Sequence, residues 1–428
     1  MNTRIKQLRE QSLKAVNSIS AERGLLVTEF YKTNKASEAS APVQRAMALE
    51  YILTNKTICI NNGELIVGER GPAPKATPTY PEINLHSPED LDILDQRPKV
   101  SFKVDKETRE AFKNIIIPFW KGKTQREKIF RQMEPEWIDA YEAGVFTEFQ
   151  EQRAPGHTVA GKKAFQKGML DLIEDIHESL EKLDFLNDPE AQEKRSELRS
   201  MEITARALIR FAERHSEKLK ELADETKGEQ RKKELLEMSE ICRRVPAQAP
   251  QTFHEALQHY WFIHLGVITE LNPWDSFNPG RLDQHLYPFF KEEMANGSLD
   301  PEKAKELLEA FWVKFNNHPS PPKVGVTAQE SNTYTDFALI NLGGVDERGA
   351  DATNDLTFLI LDVIEEMRIL QPSSMVQVSK KSPDNLIRRT AEITKTGFGQ
   401  PSYFNTDAII QELLRQGKEI EDARNGGA

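Results

Sequence analysis

Residues 338–405 read ALINLGGVDERGADATNDLTFLILDVIEEMRILQPSSMVQVSKKSPDNLIRRTAEITKTGFGQPSYFN. The first seven residues are apolar apart from Asn341, extended in pattern and closed by two glycines. From Asn354 the apolar positions recur at helical spacing until Pro372 stops them, because proline lacks an amide and clashes with the preceding turn. SMVQVSK (374–380) alternates like a strand. SPDNLIRRTAEITKTG (382–397) returns to helix, and QPSYFN (400–405) to a short strand. Strand, helix, strand, helix, strand is the order of a parallel α/β arrangement.

Working outward, KVGV (323–326) reads as one more strand, and residues 406–428 as one or two short helices. SLDPEKAKELLEAFWVKFNNH (298–318) is the clearest helix. Asp300 caps it, Pro301 takes the first helical position, and Ala304, Leu307, Leu308, Phe311, Trp312 and Phe315 form one apolar stripe. Thr252 and Glu255 open another helix with a capping-box spacing, and LNPWDSFNPGRLDQ (271–284) reads as a loop. Residues 1 to about 250 are mainly helical, with a charged hairpin over ADETKGEQRKKELLEMSE (223–240). ELIVGE (64–69) fits a strand or an extended segment, and TICI (57–60) is a strand-like run. The prolines at 72, 74, 78 and 81 predict an extended crossing of the surface.

The chain has 428 residues and a net charge of −11, with no run of Lys/Arg interleaved with aromatics, which disfavours nucleic acid. No segment approaches the ~20 apolar residues of a membrane span, and the charged N-terminus has no apolar signal region. These features predict a cytoplasmic protein. Cys59 and Cys242 lie far apart and neither has a cysteine neighbour, so neither a disulfide framework nor a zinc site is expected.

His254, His259 and His264 repeat at i, i+5, so neighbours point about 140° apart on a helix, unlike the i, i+4 pair of a zinc protease. Three irregular segments carry more chemistry. In RAPGHTVAG (153–161), His157 follows Pro-Gly, where backbone can aim an imidazole into a cavity for proton transfer near neutral pH. A surface-loop histidine is the equal alternative on pattern alone. In NPWDSFNPG (272–280), Asp275 sits between aromatics, suited to a cation or hydroxyl in a partly apolar pocket, or to an Asx turn. ESNTYTDF (330–337) offers Ser331, Asp336 and Phe337 in the same style. Phosphate-loop spacings and the nucleophile-elbow motif are absent.

SAERGLLVTEFYK (20–32), NNGELIVGER (61–70), FTEFQEQRAPGHTV (146–159), NPGRLDQHLYPFF (278–290), TDFALINLGGVDERGADATNDLT (335–357), QPSSMVQVSKKSP (371–383), GQPSYFNTDAII (399–410) and GKEIEDARNGGA (417–428) together resemble the N-terminal half of the glycyl radical enzymes, in order along the whole chain. The resemblance implies an N-terminal helical region to about residue 250. From about residue 251 it implies the first half of a ten-stranded α/β barrel, built from two antiparallel halves of five parallel strands each. It also implies that a radical S-adenosylmethionine activase installs a glycyl radical, that the radical passes to a cysteine on a barrel loop, and that the full-length protein is a homodimer in an anaerobic cytoplasm. Both radical residues are then expected beyond residue 428, with Cys59 and Cys242 outside the matching position, leaving the 428 residues inactive alone.

Within that superfamily the resemblance points to dehydration of a hydroxyproline-like substrate. It implies that His157 and Asp336 lie near the leaving hydroxyl, that Asp275 holds the ring ammonium, and that Ser331 and Phe337 surround the carboxylate and ring. Another lyase of the same superfamily, acting on a diol, choline or isethionate, is the first rival. A non-catalytic helical scaffold ending at Ala428 is the second.

Overall fold

The structure, a computed structural model, describes residues 1–33, 37–145, 160–271, 277–330 and 338–426. Among the described residues, six short strands form two parallel sheets. β1 (Ser18–Ser20) pairs with β2 (Ala76–Pro78). The larger sheet runs in sequence order through β3 (Gly280–Arg281), β4 (Leu339–Gly343), β5 (Ser373–Val378) and β6 (Ser402–Asn405), every neighbour parallel. Helices Leu282–Asn296, Asp355–Met367 and Asp384–Lys395 follow β3, β4 and β5 in the chain. The alternation read from 338–405 is therefore a parallel sheet with helical crossovers. β3 and β6 are its edges, and β6 is exposed along its length.

The Pro301–Asn316 helix forms as its sequence dictates. The Asp300 carboxylate accepts from the Lys303 amide at 2.8 Å, and the whole predicted stripe is at most 3% exposed. The Phe253–Glu270 helix starts at Thr252, whose hydroxyl accepts from the Glu255 amide at 3.1 Å. Its capping box is half-formed, because the Glu255 carboxylate turns instead to the Gln251 amide and Arg244. The charged hairpin is present as the long helices Ala191–Glu225 and Glu229–Arg244. One continuous apolar core includes Ile5, Leu53, Phe211, Trp261, Phe311, Leu342 and Ile393, so the helical half and the sheet half share an interior.

Several sequence expectations are corrected. Residues 57–60 and 64–69 are not strands: Leu65, Ile66 and Val67 are buried but irregular, and their backbone bonds to side chains. Gln258 accepts from the Val67 amide and donates to its carbonyl, so one glutamine replaces a strand partner. The proline-rich segment is extended but interior, with Thr77, Thr79, Tyr80 and Ile83 each at most 1% exposed. Residues 323–326 form no strand, and Val326–Glu330 is a short helix. The expected loop over 271–284 already contains β3 and the start of the Leu282–Asn296 helix.

Candidate active site

His157, Asp275, Ser331, Asp336 and Phe337 lie in residues 146–159, 272–276 and 331–337, outside the described residues. What the structure does place is the first or second described residue after each segment, and Ala160, Asn278 and Leu339 meet. The Asn278 carbonyl accepts from the Ala160 amide at 2.9 Å, and the Asn278 side-chain oxygen accepts from the Leu339 amide at 2.9 Å. Two residues further on, Gly280 pairs with Ile340 in the β3–β4 ladder. Ala160, Asn278 and Ala338 are all buried. His157 is three residues from Ala160, Asp275 three from Asn278, and Phe337 and Asp336 one and two from Ala338.

Rings extend the junction. Phe277 stacks on Tyr260 with centroids 5.5 Å apart, and Phe165 stacks on the other neighbour position of Tyr260 at 6.2 Å. The Tyr260 hydroxyl donates to the Phe277 carbonyl at 3.1 Å and lies 3.2 Å from His264 Nδ1. Burial pulls the His264 imidazole well below its usual range, helped by the nearby charges of His318 and Arg70, and burial pushes the Tyr260 phenol well above its own. Both are therefore neutral near pH 7 and hold the loop by hydrogen bonds without adding charge to it.

Behind the rings sits a buried ion cluster that sequence reading missed. Lys314 Nζ contacts Glu64 Oε1 at 2.7 Å and Glu69 Oε1 at 2.5 Å, and all three side chains are at most 5% exposed. The second Glu69 oxygen meets His318 Nε2 at 2.7 Å. His318 stacks on Trp261, and Trp261 on His264, with centroids 5.2 and 4.9 Å apart. Burial would strip the Lys314 proton, but the two carboxylates overcome it and hold the ammonium above its ordinary range. Burial raises Glu64 despite Lys314.

At the other end of the strands, Arg281 is 5% exposed and gathers the last described turn. Its guanidinium donates to the Val345 carbonyl at 2.6 Å, to Gln377 Oε1 at 3.2 Å and to the Gly426 carbonyl at 2.8 Å, and also to the Arg424 carbonyl. The cysteines are quiet. Burial pushes Cys59 up to about 12 and Cys242 higher still, while Arg243 and Arg244 are engaged by Glu240 and Glu255. Among the described residues no group of three His, Cys, Asp or Glu side chains is placed to hold a metal, and no helix is long and apolar enough to cross a membrane. His254 and His264 do face different partners, His254 bonding the Leu65 carbonyl at 2.7 Å.

The family model "Pyruvate formate lyase-like" matches residues 1–428. The chain belongs to the pyruvate formate lyase-like family. Among curated relatives of this family, it is 52% identical to the trans-4-hydroxy-L-proline dehydratase of Clostridioides difficile over 99% of its length and 54% of the relative's. It is 33% identical to the (2S)-3-sulfopropanediol dehydratase of Klebsiella oxytoca over 99% of its length and 52% of the relative's. The chain thus spans about half the length of the curated relatives it matches. Of solved structures, the Clostridioides difficile hydroxyproline dehydratase with trans-4-hydroxy-L-proline bound superposes with a TM-score of 0.97 at 52% identity, covering 100% of this chain and 54% of that one. The glycerol-bound, B12-independent glycerol dehydratase from Clostridium butyricum gives 0.91 at 32% identity, covering 99% and 53%. Sequence reading of this pyruvate formate lyase-like chain missed Asn278, whose only local signal is its place before Pro279 and Gly280, which adopts φ +67°. Tyr260 and Lys314 carry no local signal, because helix periodicity marks both simply as helix positions.

Proposed function

We propose that the full-length protein is a glycyl radical dehydratase that removes water from trans-4-hydroxy-L-proline to give a pyrroline carboxylate, and that these 428 residues supply its substrate-holding half as the helical region and first half of the barrel. The observation that carries this reading is the 52% identity and 0.97 TM-score, over essentially the whole chain, to a dehydratase solved with that substrate bound. The convergence of the three loop exits on Asn278 supports it, because a small zwitterion needs its partners delivered to one place.

A glycyl radical, installed by a separate radical S-adenosylmethionine activase and relayed through a cysteine outside these residues, supplies hydrogen-atom abstraction. The residues of this chain do the rest. Asp275 pairs with the secondary ammonium, which favours a carboxylate partner. Ser331 donates to the substrate carboxylate, and Phe337 covers the ring and keeps water out. His157 and Asp336 face the C4 hydroxyl, which departs as water once a proton is delivered; removing such a donor lowers turnover by about 10²–10⁴. Homodimerisation and an anaerobic cytoplasm belong to the same reading.

The test is anaerobic turnover by the full-length protein with its activase, offered hydroxyproline, glycerol, choline and isethionate. Hydroxyproline is the expected substrate. His157→Gln is expected to lower kcat and Asp275→Asn to raise KM. Normal hydroxyproline turnover by both variants overturns the site assignment, and turnover of another compound in place of hydroxyproline overturns the substrate.

A further inference from the structure

The chain holds three Asn–Gly pairs, Asn62–Gly63, Asn296–Gly297 and Asn425–Gly426, and all three asparagines are exposed. We propose that Asn62 is a modification site, where the side-chain amide is lost to water and the main chain passes into an isoaspartyl link that disturbs the neighbouring Glu64. In an Asn–Gly pair the glycine amide nitrogen can reach the asparagine Cγ, because no side chain stands beside it. The Gly63 amide gives its proton to hydroxide as its nitrogen bonds to Cγ. The Cγ–Nδ2 bond breaks, and Nδ2 leaves as ammonia with a proton taken from water. Water then opens the cyclic imide, at one carbonyl to aspartate and at the other to isoaspartate. Each turn of this chemistry consumes water and releases ammonia, and needs no other reactant.

Exposure does not rank the three pairs, but bonding does. The Gly297 amide caps the Leu282–Asn296 helix by donating to the Glu293 carbonyl, while Asn296 Oδ1 accepts from the Ser298 amide at 2.9 Å. Both reacting groups are engaged there and must come free first. Around Asn425 the backbone is pinned on each side, because Arg281 donates to the Arg424 carbonyl and, at 2.8 Å, to the Gly426 carbonyl. At the first pair, neither the Asn62 side chain nor the Gly63 amide has a hydrogen-bond partner among the described residues, and the backbone closure of the turn is one long bond, from the Glu64 amide to the Asn61 carbonyl at 3.4 Å. The same turn carries Asn61 onto Glu64, with its backbone amide on Oε2 at 2.8 Å and its side-chain amide on Oε1 at 2.9 Å. An isoaspartyl link adds a methylene to the main chain between those two residues, so both bonds span the lengthened stretch. Glu64 Oε1 is also the partner of Lys314 at 2.7 Å, which puts the buried ion cluster next in line.

The experiment ages the unactivated full-length protein at mildly alkaline pH and follows each Asn–Gly pair by peptide mapping, with isoaspartate read by enzymatic methylation. Asn62 is expected to lose its amide at least about fivefold faster than Asn296 and Asn425, the factor that one hydrogen bond is worth. Hydrogen exchange at the Asn61 amide is expected to quicken at least about threefold in the aged protein, since that amide loses its hold on Glu64. Asn62→Gln, whose longer side chain closes the corresponding ring far more slowly, is expected to keep the peptide unmodified and the Asn61 exchange unchanged through the same ageing. The wild-type comparison of the three pairs needs no variant and decides the site by itself. Asn296 or Asn425 reacting as fast as Asn62 overturns the assignment. A modified Asn62 with unaltered exchange at Asn61, or an Asn62→Gln protein whose Asn61 exchange quickens with age as the wild type's does, overturns the link to Glu64.

Discussion

Lys314→Met isolates the buried ion cluster. In the wild type one ammonium serves two carboxylates at 2.7 and 2.5 Å, all but sealed from solvent. Methionine fits the volume of the stem but leaves Glu64 and Glu69 facing each other without a cation. Removing one partner from a buried pair costs about 3–5 kcal/mol. The lower end is expected, because Asn61 still donates to Glu64 through its backbone and side-chain amides and Asn317 to Glu69 at 3.0 Å. About 3 kcal/mol is a fifth to three-fifths of the whole stability of an ordinary domain. The assay is urea unfolding of the unactivated full-length protein, read as a lowered midpoint at unchanged slope. Its pH dependence carries the sign. Burial already raises Glu64, and loss of the Lys314 charge raises it further. A group whose folded pKa lies above its unfolded value contributes stability at low pH that disappears as pH climbs through the folded pKa. The deficit of Lys314→Met relative to wild type is therefore largest near pH 7 and shrinks toward pH 5, and adding Glu64→Gln recovers part of it at pH 7. A deficit below about 1 kcal/mol, or one that does not change with pH, refutes the reasoning.

The wild-type protein should lose stability on acidification from about pH 6.5 to 4. Burial lowers seven of its nine histidines, His254, His259 and His285 to about 4, so the unfolded chain takes up protons that the folded one refuses. Asp283 and Glu309, raised by burial to about 6 and about 7, oppose this, but the histidines outnumber them. Each net proton gives a slope of about 1.4 kcal/mol per pH unit, and a urea midpoint that stays level or rises at pH 5 contradicts the sign. Arg281→Met is expected to cost about 1–3 kcal/mol and to speed exchange across residues 420–426, since it strips donors from the Val345 and Gly426 carbonyls; unchanged exchange there removes its anchoring role. Gly168→Ala should cost about 1–3 kcal/mol by overpacking, because a Cβ would sit 2.4 Å from the Gln248 carbonyl carbon and 2.5 Å from the Ala247 oxygen, whereas Gly161→Ala, with nothing within 4 Å, should stay within about 0.5 kcal/mol. Equal thermal midpoints for the two variants defeat the contrast.

Where one local pattern decided the outcome, the sequence was readable. The stripe of Pro301–Asn316 and the alternation of 373–378 appear in the structure as helix and strand because each follows from its own periodicity. Of the two readings of ELIVGE the strand is absent, because a distant glutamine, Gln258, takes the bonds that a neighbouring strand would have taken. The proline-rich crossing was misplaced for a related reason: its composition describes conformation, while its burial is set by the helices packed over it. The meeting of Ala160, Asn278 and Leu339 was not legible, since Asn278 joins residues 118 and 61 positions away.

Those long-range partners fix the described ends of the three segments. A loop has no ladder of its own to fix it, so its geometry comes from whatever its ends are tied to. Here one tie runs inward without a break in contact, from Lys314 and Glu69 through His318, Trp261 and His264 to the Tyr260 hydroxyl and the Phe277 carbonyl. Every member is buried and most are aromatic, and close-packed interiors deform little. A perturbation at Lys314 therefore reaches Phe277 through rigid rings, whereas one at the exposed face of β6 has no such route. Comparing hydroxyproline KM in Lys314→Met and in an exposed β6 variant, Tyr403→Ser, separates the two cases: a rise in the first and none in the second is expected, and equal values would mean that the rings pack without positioning.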